Sequence, residues 1–223
     1  MMSPKIYYKR NLPHFQPPGY AFFITFRLHG TLPKEVVSRL KAMKEKELKL
    51  IAEYDNPKVK SEKYSALKNE YFKLYDNYLD DASAGFSWLK ENRIAEIVKS
   101  SIHFRDEKEY DLIAYTIMPN HVHLAIVPIV ERIADSLSPE SKENLYIITK
   151  VLHNLKKYTA RECNKLLNRN GSFWQHESYD HVVRDMKALR RIVDYVLNNP
   201  VKAGLVNTWQ EWKHSYVNES FLV

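Results

Sequence analysis

Between residues 110 and 128, two apolar runs flank the segment Met118-Pro119-Asn120-His121-Val122-His123-Leu124. β-Branched and aromatic residues on either side of a Pro-Asn pair predict antiparallel strands over 110–117 and 121–127, joined by a tight turn. Side chains alternate along a strand, so His121 and His123 share one face while Val122 enters the core. A hairpin this apolar belongs inside a sheet and needs other elements to cover it. Two imidazoles side by side on such a strand are also half of a metal site.

The covering elements are read from periodicity. Residues 20–28 (YAFFITFRL) are rich in aromatic and β-branched side chains and predict a buried strand. Leu32-Pro33 opens a helix with Val36, Val37, Leu40 and Met43 at helical spacing. A second polar helical stretch covers about 61–78, with Asn56-Pro57 between the two. Five of the six residues from Lys44 to Lys49 are charged, so this pair is expected to be a solvated helical hairpin inserted at about 33–80. Residues 86–105 predict an amphipathic helix through Trp88, Leu89, Ile94, Ile97 and Val98. A long helix over 144–168, an extended segment over 172–184 and a helix over 185–199, ended by Pro200, complete the chain; residues 11–19 read as an irregular arm. The order predicts an α+β fold, a mostly antiparallel sheet with helices on one face, closest to the ferredoxin-like split βαβ pattern. Residues 1–223 are expected to form a single domain carrying the insertion.

A hydrophobic fraction of 44% and an aromatic fraction of 13% place the chain among folded proteins. The formal net charge of +7 favours a polyanionic partner. Cys163, the single cysteine, builds neither an internal disulfide nor a thiolate cluster, and no apolar stretch reaches the roughly 18 residues of a membrane span. The cytoplasm is the expected compartment.

Two further patterns bear on chemistry. On the helix at 185–199, Leu189, Ile192, Val193, Val196 and Leu197 form one stripe, with Tyr195 and Asn199 together at its border, four residues apart. Periodicity alone does not bring this helix to the histidines. On the helix at 144–168, Lys150, His153, Lys157, Arg161 and Lys165 form a stripe opposite Ile148, Val151, Leu152, Leu155, Cys163 and Leu166. From Lys150 to Arg169, six Lys/Arg stand against Glu162, a net +5, which suits tracking of a phosphate backbone. Phe173, Trp174 and Tyr179 are either base-stacking or core residues, and core packing is the simpler use.

Taken together, Arg10-Asn11-Leu12-Pro13-His14 with the strand at 20–28, residues 118–124, Gly171-Ser172-Phe173-Trp174-Gln175, Asp180-His181-Val182-Val183-Arg184-Asp185 and residues 195–206 (YVLNNPVKAGLV) resemble the REP-associated tyrosine transposases. These are relatives of the single-tyrosine insertion-sequence transposases in the His-hydrophobe-His nuclease superfamily. The matches span nearly the whole chain outside the insertion, whose length departs from the pattern of short members.

The resemblance implies that His121 and His123 hold a divalent metal with Asn199 as third protein ligand, and that Tyr195 is the nucleophile. Mn2+ or Mg2+ suits two neutral imidazoles and an amide oxygen. The implied activity is that of a metal-dependent single-stranded DNA endonuclease and strand transferase. Its substrate is single-stranded or hairpin DNA of the repetitive palindromic kind, and its intermediate a 5′-phosphotyrosine with a free 3′-OH. Arg10 and His14 correspond to segments that contact a short guide sequence. The alternative is a non-catalytic DNA- or RNA-binding protein on the same scaffold. A metal-free two-histidine phosphoesterase needs two His-x-Thr/Ser motifs; His176-Glu177-Ser178 fits, but His121-Val122-His123 does not. Tyr195 serves either the histidines of its own chain or those of a partner in a homodimer.

Overall fold

The computed structural model describes residues 7–9, 13–15, 19–81, 85–135 and 146–221, with side chains from residue 19 onward except at residue 135. These fall into two compact units, one of them Gly30–Ser87 and the other formed by the chain on either side of it.

The larger unit is built on a five-stranded antiparallel sheet. Its strands are β3 (Ala21–Arg27), β4 (Tyr110–Ile117), β5 (His121–Pro128), β6 (Tyr179–Val183) and β7 (Ser215–Val217), in the order β6-β3-β5-β4-β7. The first crossover runs from β3 through helix α3 (Asn92–Arg105) to β4, with β5 between the two strands. This is the expected split βαβ arrangement, extended by β7 at one edge. The β4–β5 turn is closed by Met118 N–H donating to the His121 carbonyl at 2.8 Å, and Leu28 N–H donates to the Asn120 carbonyl at 2.8 Å. Residues 7–9 (β1) and 13–15 (β2) pair as a small antiparallel ribbon, the second strand lying within the arm expected to be irregular.

Register decides what each face carries. Thr25 lies opposite His123, Arg27 opposite His121 and Thr116 opposite His123, so these polar residues share a face with the histidines. Strict alternation in β4 would have put Leu112 there as well. A bulge between Leu112 and Ala114 shifts the register, so Ala114 pairs with Ala125 while Leu112, Tyr115 and Ile117 pair with Ile126, Leu124 and Val122. The latter face packs into one core with Ile94, Val98 and Ile102 of α3 and with Val151, Leu155 and Cys163 of helix α5 (Ile147–Leu166). Each such aliphatic side chain contributes about 1.5–3 kcal/mol on full burial. A short helix, α4 (Val130–Asp135), follows β5.

Helices α3 and α5 thus cover one face as expected. Helix α6 (Met186–Lys202) takes the other, where the Tyr195 ring meets those of Phe23 and His123. Its buried stripe of Leu189, Val193, Val196 and Leu197 needs an apolar partner, and the first face is already filled. Asp185 caps α6 by accepting from Ala188 N–H at 2.7 Å. Pro200 does not end the helix as expected. It sits inside the last turn, and the stop comes at Gly204 (φ 68°), where Leu205 N–H donates to the Pro200 carbonyl and Gly204 N–H to the Val201 carbonyl, both at 2.9 Å. The helix expected over 86–105 is likewise split, with a single 3-10 turn at Trp88–Lys90 preceding α3.

The smaller unit is a helical hairpin of α1 (Lys34–Ala52) and α2 (Pro57–Asp80), close to the expected insertion. Asn56 caps α2 by accepting from Lys58 N–H at 2.9 Å and Val59 N–H at 3.3 Å, with Pro57 in the first turn. The ends of this unit touch. At Gly85 (φ 126°) a Cβ would lie 2.7 Å from the Thr31 carbonyl oxygen, so glycine alone fits. Among the described residues no helix is long and apolar enough to cross a membrane.

Candidate metal and tyrosine site

Strand β5 presents His121 and His123 toward α6, both fully buried. Their Nε2 atoms converge to 2.9 Å. Each ring is held from behind through Nδ1. His121 Nδ1 meets the Asn120 side-chain carbonyl oxygen at 2.5 Å, and His123 Nδ1 meets the Thr25 hydroxyl at 2.8 Å. Imidazoles held this way direct Nε2 at a shared point, the usual arrangement of metal-ligating histidines. Phe23 stacks on His123 with ring centroids 5.5 Å apart.

Helix α6 supplies the rest. The half-buried Tyr195 packs edge-on against His123 at 5.4 Å and against Phe23 at 5.7 Å. One turn on, Asn199 is 1% exposed and its Nδ2 donates to the Tyr195 hydroxyl at 3.4 Å. The Asn199 side-chain oxygen is buried and has no hydrogen-bond partner among the described residues. A buried amide oxygen left unpaired costs about 1–3 kcal/mol, and a hard cation would satisfy it. Two imidazole nitrogens, with an amide oxygen on the facing helix, are donors that can hold a divalent ion. The structure therefore brings together His121, His123, Tyr195 and Asn199 within one chain.

The basic stripe lies elsewhere. His153, Lys157, Arg161 and Lys165 are exposed and Lys150 is half-buried, on the side of α5 turned away from the sheet and so across it from Tyr195. Arg161 Nε contacts Glu162 Oε1 at 2.7 Å, and its guanidinium stands 5.6 Å from the ring of Tyr158, which is 44% exposed. Arg10 falls outside the described residues. His14 pairs with Tyr8 in the β1–β2 ribbon, and only its backbone is described. Phe173, Trp174 and Tyr179 are buried, and Trp174 Nε1 donates to Thr159 Oγ1 at 2.8 Å, so all three are core residues.

Three residues escaped the sequence reading. Thr25 is a lone hydroxyl in an apolar strand, and its parity with Phe23 and Arg27 was the available signal. Asn120 read as a turn residue only. Lys156, beside the exposed Lys157, turns inward and donates to the Gln175 carbonyl at 2.8 Å, the His176 carbonyl at 3.3 Å and Ser178 Oγ at 2.6 Å. Burial, then the neighbouring Arg27, brings the Lys156 ammonium pKa down to about 7, partly offset by Glu177. With His153 and Lys157, Lys156 lines a recess of about 500 Å³ whose other wall is the segment from Gly171 to Ser178. That segment joins the end of β3, where Gln175 N–H donates to the Arg27 carbonyl at 2.8 Å.

No family model matches the chain. A provisionally named REP-associated tyrosine transposase of Haemophilus influenzae is 29% identical over 112 residues, covering 48% of this chain and 58% of the relative. The REP-associated tyrosine transposase of Escherichia coli K12 is 28% identical over 114 residues, covering 51% and 58%. The chain thus spans less than two thirds of the length of the curated relatives it matches. A solved structure of a REP-associated tyrosine transposase bound to a REP hairpin aligns over 96% of this chain and 82% of its own. Its identity is 16% and its TM-score 0.48, a likeness that carries no functional inference.

Proposed function

We propose that this homologue of REP-associated tyrosine transposases is a metal-dependent nuclease and strand transferase for single-stranded, hairpin-bearing DNA, with Tyr195 as nucleophile. The observation that carries the reading is the Tyr195 ring packed on His123, with the unpaired Asn199 oxygen one helical turn away. His121, His123 and Asn199 would hold the ion, which supplies charge neutralisation and orientation of the phosphate.

The chain's own residues account for the rest of the chemistry. Phe23 and His123 hold the phenol ring in place. Asn199 Nδ2 donates to the phenol oxygen and favours its more negative states. The Tyr195 oxygen forms a bond to phosphorus as the bond to the 3′ oxygen breaks, leaving a 5′-phosphotyrosine. The phenol proton ends, through solvent, on the departing 3′ oxygen. One phosphate ester replaces another, so a later 3′-OH can reverse the step and join strands. Lys150, His153, Lys157, Arg161 and Lys165 follow the DNA backbone, and Arg10 and His14 contact a guide sequence. Tyr195 serves the histidines of its own chain, and the ferredoxin-like unit with its inserted arm acts as one catalytic domain.

The test is a covalent-adduct assay with a hairpin-bearing strand and Mn2+. Wild-type protein should give an adduct on Tyr195, Tyr195→Phe should bind without forming one, and His121→Ala should lose cleavage. Cleavage by Tyr195→Phe at the wild-type rate would replace this account with hydrolysis by water. Tight hairpin binding with no adduct under any condition would leave a non-catalytic binder.

A further inference from the structure

We infer that Thr25 and Asn120 are positioning residues that set the hydrogen-bonding state of the two imidazoles toward an ion, an inference that rests on the metal-dependent reading above. The Asn120 side-chain oxygen can only accept, so the contact at 2.5 Å places hydrogen on His121 Nδ1, and the neutral ring then carries its lone pair on Nε2. That state is the one a metal needs. Asn120 sits where it does because its backbone carbonyl is pinned by Leu28 N–H at 2.8 Å and the turn is closed by Met118 and His121. The residue is 2% exposed, so its amide is held inside the protein.

Thr25 works differently. A hydroxyl both donates and accepts, and this one faces His123 Nδ1 at 2.8 Å from the opposing strand position. With an ion on both Nε2 atoms, His123 carries its hydrogen on Nδ1 and the Thr25 hydroxyl accepts it. Asn120 and Thr25 thus each hold one ring in the state an ion needs. An aliphatic residue at position 25 would leave His123 Nδ1 facing carbon.

The test uses full-length, DNA-free protein and reads ion binding rather than cleavage. Mn2+ affinity is followed by the paramagnetic resonance of free Mn2+, for wild type, Thr25→Ser, Thr25→Val and Asn120→Leu. Partners of this kind are worth about 10- to 100-fold in metal affinity, so Thr25→Val and Asn120→Leu should weaken binding by that factor while Thr25→Ser stays near wild type. Imidazole 15N spectra of wild type supply a second measurement that needs no variant. With Mg2+ bound, His121 and His123 should both carry hydrogen on Nδ1. Equal Mn2+ affinity in wild type and Thr25→Val, or an Nε2–H on either ring with Mg2+ bound, would overturn the inference. Wild-type protein that binds neither ion would overturn the metal-dependent reading itself, a result distinct from equal binding by all variants.

Discussion

Phe23 offers a direct measure of whether α6 docks over the histidines of its own chain. The residue is 4% exposed, and its ring contacts His123 at 5.5 Å, Tyr195 at 5.7 Å and Tyr179 at 6.4 Å. Phe23→Leu keeps much of the apolar volume and removes the ring. Each aromatic contact contributes about 0.5–1.5 kcal/mol beyond burial, and a hydrophobic swap of similar size costs up to about 1.5 kcal/mol. Three contacts at the low end plus the swap give a loss of roughly 2–3 kcal/mol. A domain with about 5–15 kcal/mol of stability still folds after that loss. A double-mutant cycle with Tyr195→Leu isolates the Phe23–Tyr195 contact, whose coupling should be about 0.5–1.5 kcal/mol. Urea unfolding followed by tryptophan fluorescence gives the four free energies, with slopes compared to confirm one transition. A coupling within about 0.3 kcal/mol of zero would refute docking of the tyrosine helix on Phe23. A coupling that rises with protein concentration would move the contact to a partner chain.

Two other outcomes follow from residues on α5. The Lys156 ammonium releases its proton near pH 7 in the folded protein and near its ordinary value of 10.5 in the unfolded chain. Between those values the unfolded chain binds more protons, so stability should rise with pH across that window. Lys156→Met should flatten this slope in urea titrations from pH 6.5 to 9.5, and an unchanged slope would refute the assignment. Lys157→Ala with Arg161→Ala should weaken binding of a hairpin-bearing strand and make its dependence on salt shallower by about two charges' worth of slope. A salt slope equal to wild type would return the stripe to plain solvation.

Local periodicity exposed those parts of the molecule that depend on nearest neighbours along the chain. The β4–β5 hairpin, the shared face of His121 and His123, and the buried stripes of α5 and α6 all repeat with a period that sequence displays. The α+β order of elements gave the split βαβ sheet for the same reason. What stayed hidden depends on contacts between distant segments. The bulge at Leu112/Ala114 changes which face each β4 residue occupies, and only pairing with β5 reveals it. The side of the sheet chosen by α6 follows from α3 and α5 having filled the other. Lys156 and Lys157 are indistinguishable as letters, yet the one is held among carbonyls of residues 175 and 176 and the other faces water. Pro200 misled because the glycine that stops the helix comes four residues later.

The contact between Thr31 and Gly85 bears on how the chain assembles. The intervening hairpin brings its own two ends together as α1 and α2 pair outward from the short connection between them. Once it has formed, the tether between the first sheet strand and its crossover helix is effectively a short turn, and the entropy of closing so long a stretch no longer opposes pairing of β3 with β5. Lengthening or trimming the tip of the arm would leave that tether untouched, so this part of the gene is free to vary in size while the strand register behind it stays fixed.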